Sequence, residues 1–343
     1  MKKLLNVFYV FQSDVYISKD GDNVVVSKDN VELKRLPIHT IESIVCFNYL
    51  GVSPALMKLC GEHNIGISFF TPNGRFQGRI SGSIQGNVLL RKQQYRYSDD
   101  EDESAKIARN MILGKIFNSR VVLKRAVRDH AEKSNITSIE STTRILENSI
   151  EKIRNAEALG TIRGIEGTCA KAYFESLDHL ILHQKEDFFL IERNRRPPLD
   201  NMNALLSFLY SILANDIRAA IESVGLDPYV GFLHRDRPGR ASLALDLMEE
   251  LRPVMADRVA LSLVNRKQVN AKGFIMKESG GVLMTDETRQ KVLQEWQEKK
   301  KEEITHPFLN EKIEWGLVPY VQALLLARYI RGDLEEYPPF LYK

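Results

Sequence analysis

The chain has little with which to staple itself covalently. Its 343 residues include three cysteines, Cys46, Cys60 and Cys169. An odd number with no CxxC pair argues against both a disulfide framework and a thiolate zinc site. A reducing, cytoplasmic setting is expected. A long apolar run is also missing: the nearest approach, "ALLSFLYSILA" at 204–214, is too short to cross a bilayer. No membrane partner is expected. The opening "MKKLLNVFYVFQSD" has the basic start of a signal peptide, but its apolar run breaks at Asn6, ends at Gln12 and lacks a small-residue cleavage site. It reads as a strand. Charge of one sign is barely in excess, 48 Lys and Arg against 45 Asp and Glu. Nucleic-acid binding must therefore be argued from local patches and not from the total.

What is present suffices for two domains, with 43% hydrophobic and 27% charged residues. From Leu4 to about Ile84, short Val, Ile, Phe and Tyr runs alternate with turn signals at Asp20-Gly21-Asp22, Lys28-Asp29-Asn30, Thr71-Pro72-Asn73-Gly74 and Ser81-Gly82. This spacing predicts a small, mainly β domain. It is interrupted by one short helix in "VSPALMKLCGEHN", where Leu56, Leu59 and Cys60 share a face. The acidic run Asp99–Glu103 predicts a solvated linker.

Helical patterns then take over: Ala105–Glu132, Ser138–Ala158, Gly164–His183, Asp200–Gly225, Ser242–Arg252, Asp286–Ile304 and Glu314–Gly332. Asp200 is a good helix cap and Gly225 a good stop. "EWQEKKKEEI" reads as an exposed helix face. The expected architecture is α+β: a β domain over 1–97, a linker over 98–104 and a larger all-α helical domain over 105–343 carrying a metal site.

The chemistry concentrates in "GFLHRDRPGRASLALDLMEELRP", Gly231–Pro253. Ser242 is a plausible cap, and Pro253 predicts an end to the helix at or before Arg252. Asp246 and Glu249 lie one helical turn apart and share a face. Two carboxylates together need a cation, which arginines or a metal can supply; a surface helix with ordinary acids explains them equally well. His234, in the loop beside Arg235, Arg237 and Arg240, would complete a nitrogen and oxygen set suited to Mg²⁺ or Mn²⁺. Glu166 stands between Gly164 and Gly167 near an expected helix start, where the dipole alone favours a carboxylate. The two glycines would also let other groups approach it. Tyr210, flanked by Leu209 and Ile212, reads on its own as a core tyrosine.

Four segments, "GIEG" leading into a helix, "RRPPLDNMNALLSFLYSIL", the Gly231–Pro253 segment and "VSPALMKLCGEHNIGISFF", closely resemble the CRISPR-associated endonuclease and integrase of spacer acquisition, the first-numbered Cas family. The resemblance covers nearly the whole chain. It implies a divalent metal, Mg²⁺ or Mn²⁺, held by Glu166, His234 and Glu249, with Asp246 acting from behind the ligands and Tyr210 near the site. Glu250 points away on an α-helix and is the weaker ligand candidate.

The implied reaction is attack by the 3′-hydroxyl of a foreign double-stranded DNA fragment on a phosphodiester of the repeat array. Two such transfers at separated sites imply homodimers bridged by the small second-numbered Cas protein (Cas2). Arg235, Arg237 and Arg240 could hold phosphates, as could Arg120, Lys124 and Arg128 along one helix and a cluster at Arg193, Arg195 and Arg196. Two other readings stay open: a nuclease on branched or unusual DNA with the same site, and a DNA-binding assembly subunit whose acids are structural.

Overall fold

Hairpin chemistry sets the amino-terminal unit. A computed structural model describes residues 6–12, 14–47, 51–71, 76–82, 88–130 and 136–342; they form two units that part after Gln85. The first begins with β1 (Asn6–Val10), β2 (Tyr16–Asp20), β3 (Asn23–Lys28), β4 (Val31–Pro37), β5 (Ile41–Phe47) and β6 (Gly51–Val52). It ends with α1 (Pro54–Glu62), β7 (Gly66–Phe70) and β8 (Phe76–Ile80). Gly21, at φ +56°, opens the two-residue β2–β3 loop, while Asp29 and Asn30 both take positive φ between β3 and β4. The second arrangement suits a two-residue turn whose twist matches that of the flanking strands.

Two four-stranded sheets result, ordered β1-β5-β7-β8 and β4-β3-β2-β6. In the first, β1, β5 and β7 run parallel and β8 antiparallel. Ile17, Val24 and Val26 of one sheet join Ile44, Cys46 and Ile67 of the other in a single core. Leu56, Leu59 and Cys60 of α1 complete it, as their spacing predicted. Ser53 caps α1 by accepting from the Leu56 amide at 3.2 Å. All three cysteines are free and buried. Most of the Thr71–Gly74 turn signal and the end of the predicted 105–132 helix lie outside the described residues.

The second unit is mainly helical: α2 (Val88–Asp99), α3 (Glu101–His130), α4 (Ile136–Arg154), α5 (Leu159–Leu177), α6 (Asn201–Ser223) and α7 (Ser242–Met248), then a π-helical segment, Arg252–Asp257. It continues with α8 (Arg258–Asn265), β9 (Phe274–Met276), β10 (Val282–Met284), α9 (Asp286–Lys301), β11 (Glu303–Thr305), β12 (Lys312–Glu314) and α10 (Val318–Ile330). The two short antiparallel ribbons, β9–β10 and β11–β12, are additions to the predicted bundle. Residues 98–104, expected as a linker, are instead the end of α2 and the start of α3, with Asp100 between the two helices accepting from the Asp102 and Glu103 amides.

α6 begins where Asp200 accepts from the Asn203 amide at 2.7 Å and stops before Gly225, at φ +87°. Its length and composition would suit a bilayer span, yet Leu205, Leu206, Leu209, Leu213 and Ile217 are fully buried in the core. The lysine-rich part of α9 is likewise less exposed than its composition suggests. Trp296 is fully buried, and Lys300 pairs with Asp216 at 3.0 Å.

The helix from Ser242 ends before Arg252, as expected: α7 stops at Met248, and the chain turns through Glu249–Leu251 before the π segment leads into α8. Pro253 stands in the first turn of that segment, where a missing amide costs no intrahelical bond.

α2 works as a clamp on the loop leading to His234. Gln94 is fully buried; its amide donates to the carbonyls of Asp227 and Val230 at 2.8 and 2.9 Å and accepts from the Asp227 amide at 2.9 Å. Ser98 donates to the Gly231 carbonyl at 2.8 Å, and Arg91 to the Gly225 carbonyl at 3.1 Å. Gln94→Ala should therefore cost about 3 kcal/mol, because it leaves buried backbone groups unsatisfied. Chemical denaturation of wild type and variant checks this.

Candidate active site

The acids of the Gly231–Pro253 segment are not those of a surface helix. Asp246, Glu249 and Glu250 are 0, 3 and 0% exposed. Each is answered by a different set of partners.

Asp246 faces back across its own loop. One carboxylate oxygen accepts from the amides of Phe232 and Leu233 at 2.6 and 2.9 Å; the other accepts from the His234 amide at 3.0 Å and lies 2.5 Å from His234 Nδ1. The close approach depends on Gly231, where a Cβ would fall 2.8 Å from the Asp246 carboxylate and 2.7 Å from Ser242 Cβ. With Nδ1 occupied, the imidazole is left with Nε2 for other work. Arg163 of α5 holds the same loop by donating to the Leu233 carbonyl at 2.6 and 3.0 Å.

Glu249 faces Lys115 of α3 and Arg252. Its Oε1 lies 2.9 Å from Arg252, and its Oε2 lies 2.7 Å from Lys115 Nζ. The same ammonium pairs with Glu166. Burial alone would raise the Glu249 carboxyl, but Arg252 and Lys115, with His234 nearby, hold it at about 2. Burial would likewise lower the Lys115 amine; Glu249 and Glu166 reverse this and keep it above its ordinary value.

Glu166 is not at a helix start. α5 begins at Leu159 after Ala158, placing Glu166 two turns inside and removing the dipole as its explanation. Its side chain is 27% exposed. The positions where Gly164 and Gly167 would carry a Cβ have no other group within 4 Å, so the helix surface on either side of Glu166 in sequence is uncrowded.

Glu250 points elsewhere, as predicted, although the α-helix assumed in that reasoning ends before it. It accepts from Gln322 at 3.1 Å and from the Phe340 amide at 2.5 Å, and pairs with the Tyr337 hydroxyl at 2.5 Å. Burial pushes its carboxyl up to about 8 against these partners.

Tyr210 donates to Asp257 at 2.7 Å, and Tyr173 donates to the other oxygen of that carboxylate at 3.0 Å. Burial pushes Asp257 up to about 6. Arg193 and Arg252 lie over the Tyr210 ring, 5.2 and 5.0 Å from its centre. Tyr210 therefore reaches Glu249 only through Arg252.

Among the described residues, no three His, Cys, Asp or Glu side chains form a preassembled ion cluster. Glu166 and Glu249 meet at one cation, the Lys115 ammonium, and His234 approaches Glu249 from its Asp246-held loop. Glu249 Oε2 is buried, with the Lys115 ammonium as its partner at 2.7 Å. Carboxylate oxygens are the ligands that hard divalent cations take. The oxygen donors of Glu166 and Glu249 and the free nitrogen of His234 fit a divalent cation.

The basic candidates divide. Arg235 and Arg237 are exposed and Arg240 half-buried. Burial, and then the charges of Arg237, Arg195 and Arg196, lower the Arg240 guanidinium, so the two arginine groups converge. On α3, by contrast, Arg120 and Lys124 pair with Glu147 at 2.5 and 3.8 Å, and Arg128 with Asp129 at 2.9 Å. Sequence reasoning missed Lys115, Arg163 and Asp257. A lone lysine inside the apolar "MILGKIF" was the only local signal, and it marks a buried charge in need of a partner.

Asp246→Ala should cost about 4 kcal/mol or more, since buried amides lose their acceptor. Glu166→Ala should stay within about 1 kcal/mol, because Lys115 keeps Glu249. Thermal melts of both variants check the contrast.

The sequence profile described as CRISPR associated protein Cas1 matches residues 8–298. A CRISPR-associated endonuclease Cas1 of Chlorobaculum tepidum is 47% identical over 343 residues, covering all of both chains. The solved structure of a CAS1 protein from Thermotoga maritima superposes with a TM-score of 0.81 at 23% identity, covering 95% of this chain and 97% of that one. A casposase solved bound to integration product gives 0.84 at 23% identity, over 98% and 93% of the two chains. These last two likenesses are of fold. A full-length match at this identity, with the family profile spanning both units, makes the chain a member of the CRISPR-associated Cas1 family.

Proposed function

We propose that the protein is a metal-dependent DNA endonuclease and integrase of CRISPR adaptation, joining the 3′-hydroxyl ends of short foreign DNA fragments into the repeat array. The observation that carries this reading is the meeting of Glu166, from α5, and Glu249, from the turn after α7, at a single cation beside the Asp246-held His234. Glu166, Glu249 and His234 Nε2 would hold Mg²⁺ or Mn²⁺. A bound ion of this kind polarises a phosphoryl oxygen and eases deprotonation of an attacking hydroxyl.

The rest is work for the chain itself. Asp246 fixes the ring and tautomer of His234. Arg252 keeps Glu249 ionised whatever else binds its other oxygen. The converging Arg195, Arg196, Arg237 and Arg240 offer guanidinium groups for DNA phosphates beside the His234 loop. Such contacts position a duplex without reading its bases. Paired insertions at separated sites require two active sites, so the working assembly is homodimers bridged by Cas2, with the foreign fragment and the repeat as DNA partners.

The test is a strand-transfer assay with a supercoiled repeat-containing plasmid, labelled duplex fragment, Mn²⁺ or Mg²⁺ and Cas2. Wild type should join label to plasmid only with metal. His234→Ala and Glu166→Ala should each lose more than the roughly hundredfold that follows removal of a group behind a ligand, while retaining DNA binding. Metal-dependent shortening of DNA without joining would replace integration by a nuclease on branched or unusual DNA. Binding without any reaction, in a verified complex, would make the chain an assembly subunit.

A further inference from the structure

The Lys115 ammonium stands where the two carboxylates of the site meet. It rises from α3 with its side chain 10% exposed, pairs with Glu166 and lies 2.7 Å from the buried Glu249 Oε2. Arg252 already neutralises the other oxygen of Glu249 at 2.9 Å. The four groups carry two negative and two positive charges and are balanced without any bound ion.

We infer that Lys115 is the resident counter-ion of the site, and that its ammonium and a divalent cation are alternative occupants of the Glu166–Glu249 pair. The inference rests on reading those carboxylates as metal ligands. A dication bound by both would lie within a few ångströms of the ammonium, and like charges at that separation in a buried setting repel strongly. The lysine must therefore swing away as the ion enters. Two features permit this: Glu249 keeps Arg252, and Glu166, with its side chain 27% exposed, can meet solvent once the ammonium leaves it. Lys115 holds the two acids together in the metal-free protein, where they would otherwise repel, and its displacement weakens metal binding. A loosely held ion and a stable metal-free fold then have one cause.

The test is direct Mn²⁺ binding to the full-length protein, followed by electron paramagnetic resonance. Lys115→Met should bind Mn²⁺ about tenfold tighter than wild type, and Lys115→Arg no tighter. The metal-free Lys115→Met protein should melt below wild type and recover most of the difference on adding Mn²⁺. Equal or weaker binding by Lys115→Met would overturn the inference and leave Lys115 a structural cation. Absence of Mn²⁺ binding in both proteins would overturn the metal reading and the lysine's role with it. Should Lys115→Met not fold, wild type labelled at lysine Cε decides: the Lys115 signal, assigned with Lys115→Arg, should shift with Mg²⁺, and a signal unmoved at saturation would overturn the inference.

Discussion

A buried carboxylate must be answered by donors or a cation, and the helical unit buries Asp246, Glu249 and Glu250 within a single turn of chain. Much of its architecture can be read as the three answers. Asp246 gathers the Phe232–His234 loop by accepting its amides. Glu249 draws in α3 through Lys115 and α5 through the same ammonium. Glu250 takes hold of α10 at Gln322 and of the carboxyl-terminal segment at Tyr337 and Phe340. Removing one partner from such a group without a replacement costs more than the interaction returns, so each carboxylate must always keep a donor or a cation.

The sequence made the outer framework readable because its signals are local. Turn residues with positive φ, the Asp200 cap and the Gly225 stop act over a few positions, and their effects appear where expected. The acids and His234 were also conspicuous by their density in one segment, and a surface helix no longer explains the acids once they prove buried. The Pro253 signal held as well, since α7 ends at Met248. One local rule misled. The acidic run promised a linker, although Asp100 serves as a cap for α3. What stayed illegible was long-range: Lys115 meets Glu166 across 51 positions, and Arg163 meets Leu233 across 70. No periodicity encodes such a meeting.

Tyr210 shows how a core residue can bear on a charged one without touching it. Its hydroxyl is committed to Asp257, and its ring lies against Arg193 and Arg252. Arginine stacks well because its guanidinium is planar and weakly hydrated. The ring thus helps orient Arg252, and through Arg252 the Glu249 carboxylate. A tyrosine that looks purely structural in sequence and is fully hydrogen-bonded in the fold still belongs to the electrostatics of the site.

The clasp on Glu250 has a consequence in time. The Phe340 amide that meets this carboxylate is made 90 residues after it, and Asn118, near the middle of α3, waits 224 residues for the Tyr342 amide. At roughly 5–20 residues per second, the ribosome takes several seconds to pass from Glu250 to its last partner. Lys115, Glu166, His234 and Glu249 have all been synthesised by then. The packing behind them is therefore sealed by the later residues Phe340 and Tyr342, and a nascent molecule can hold every chemical group of the site before it holds the site.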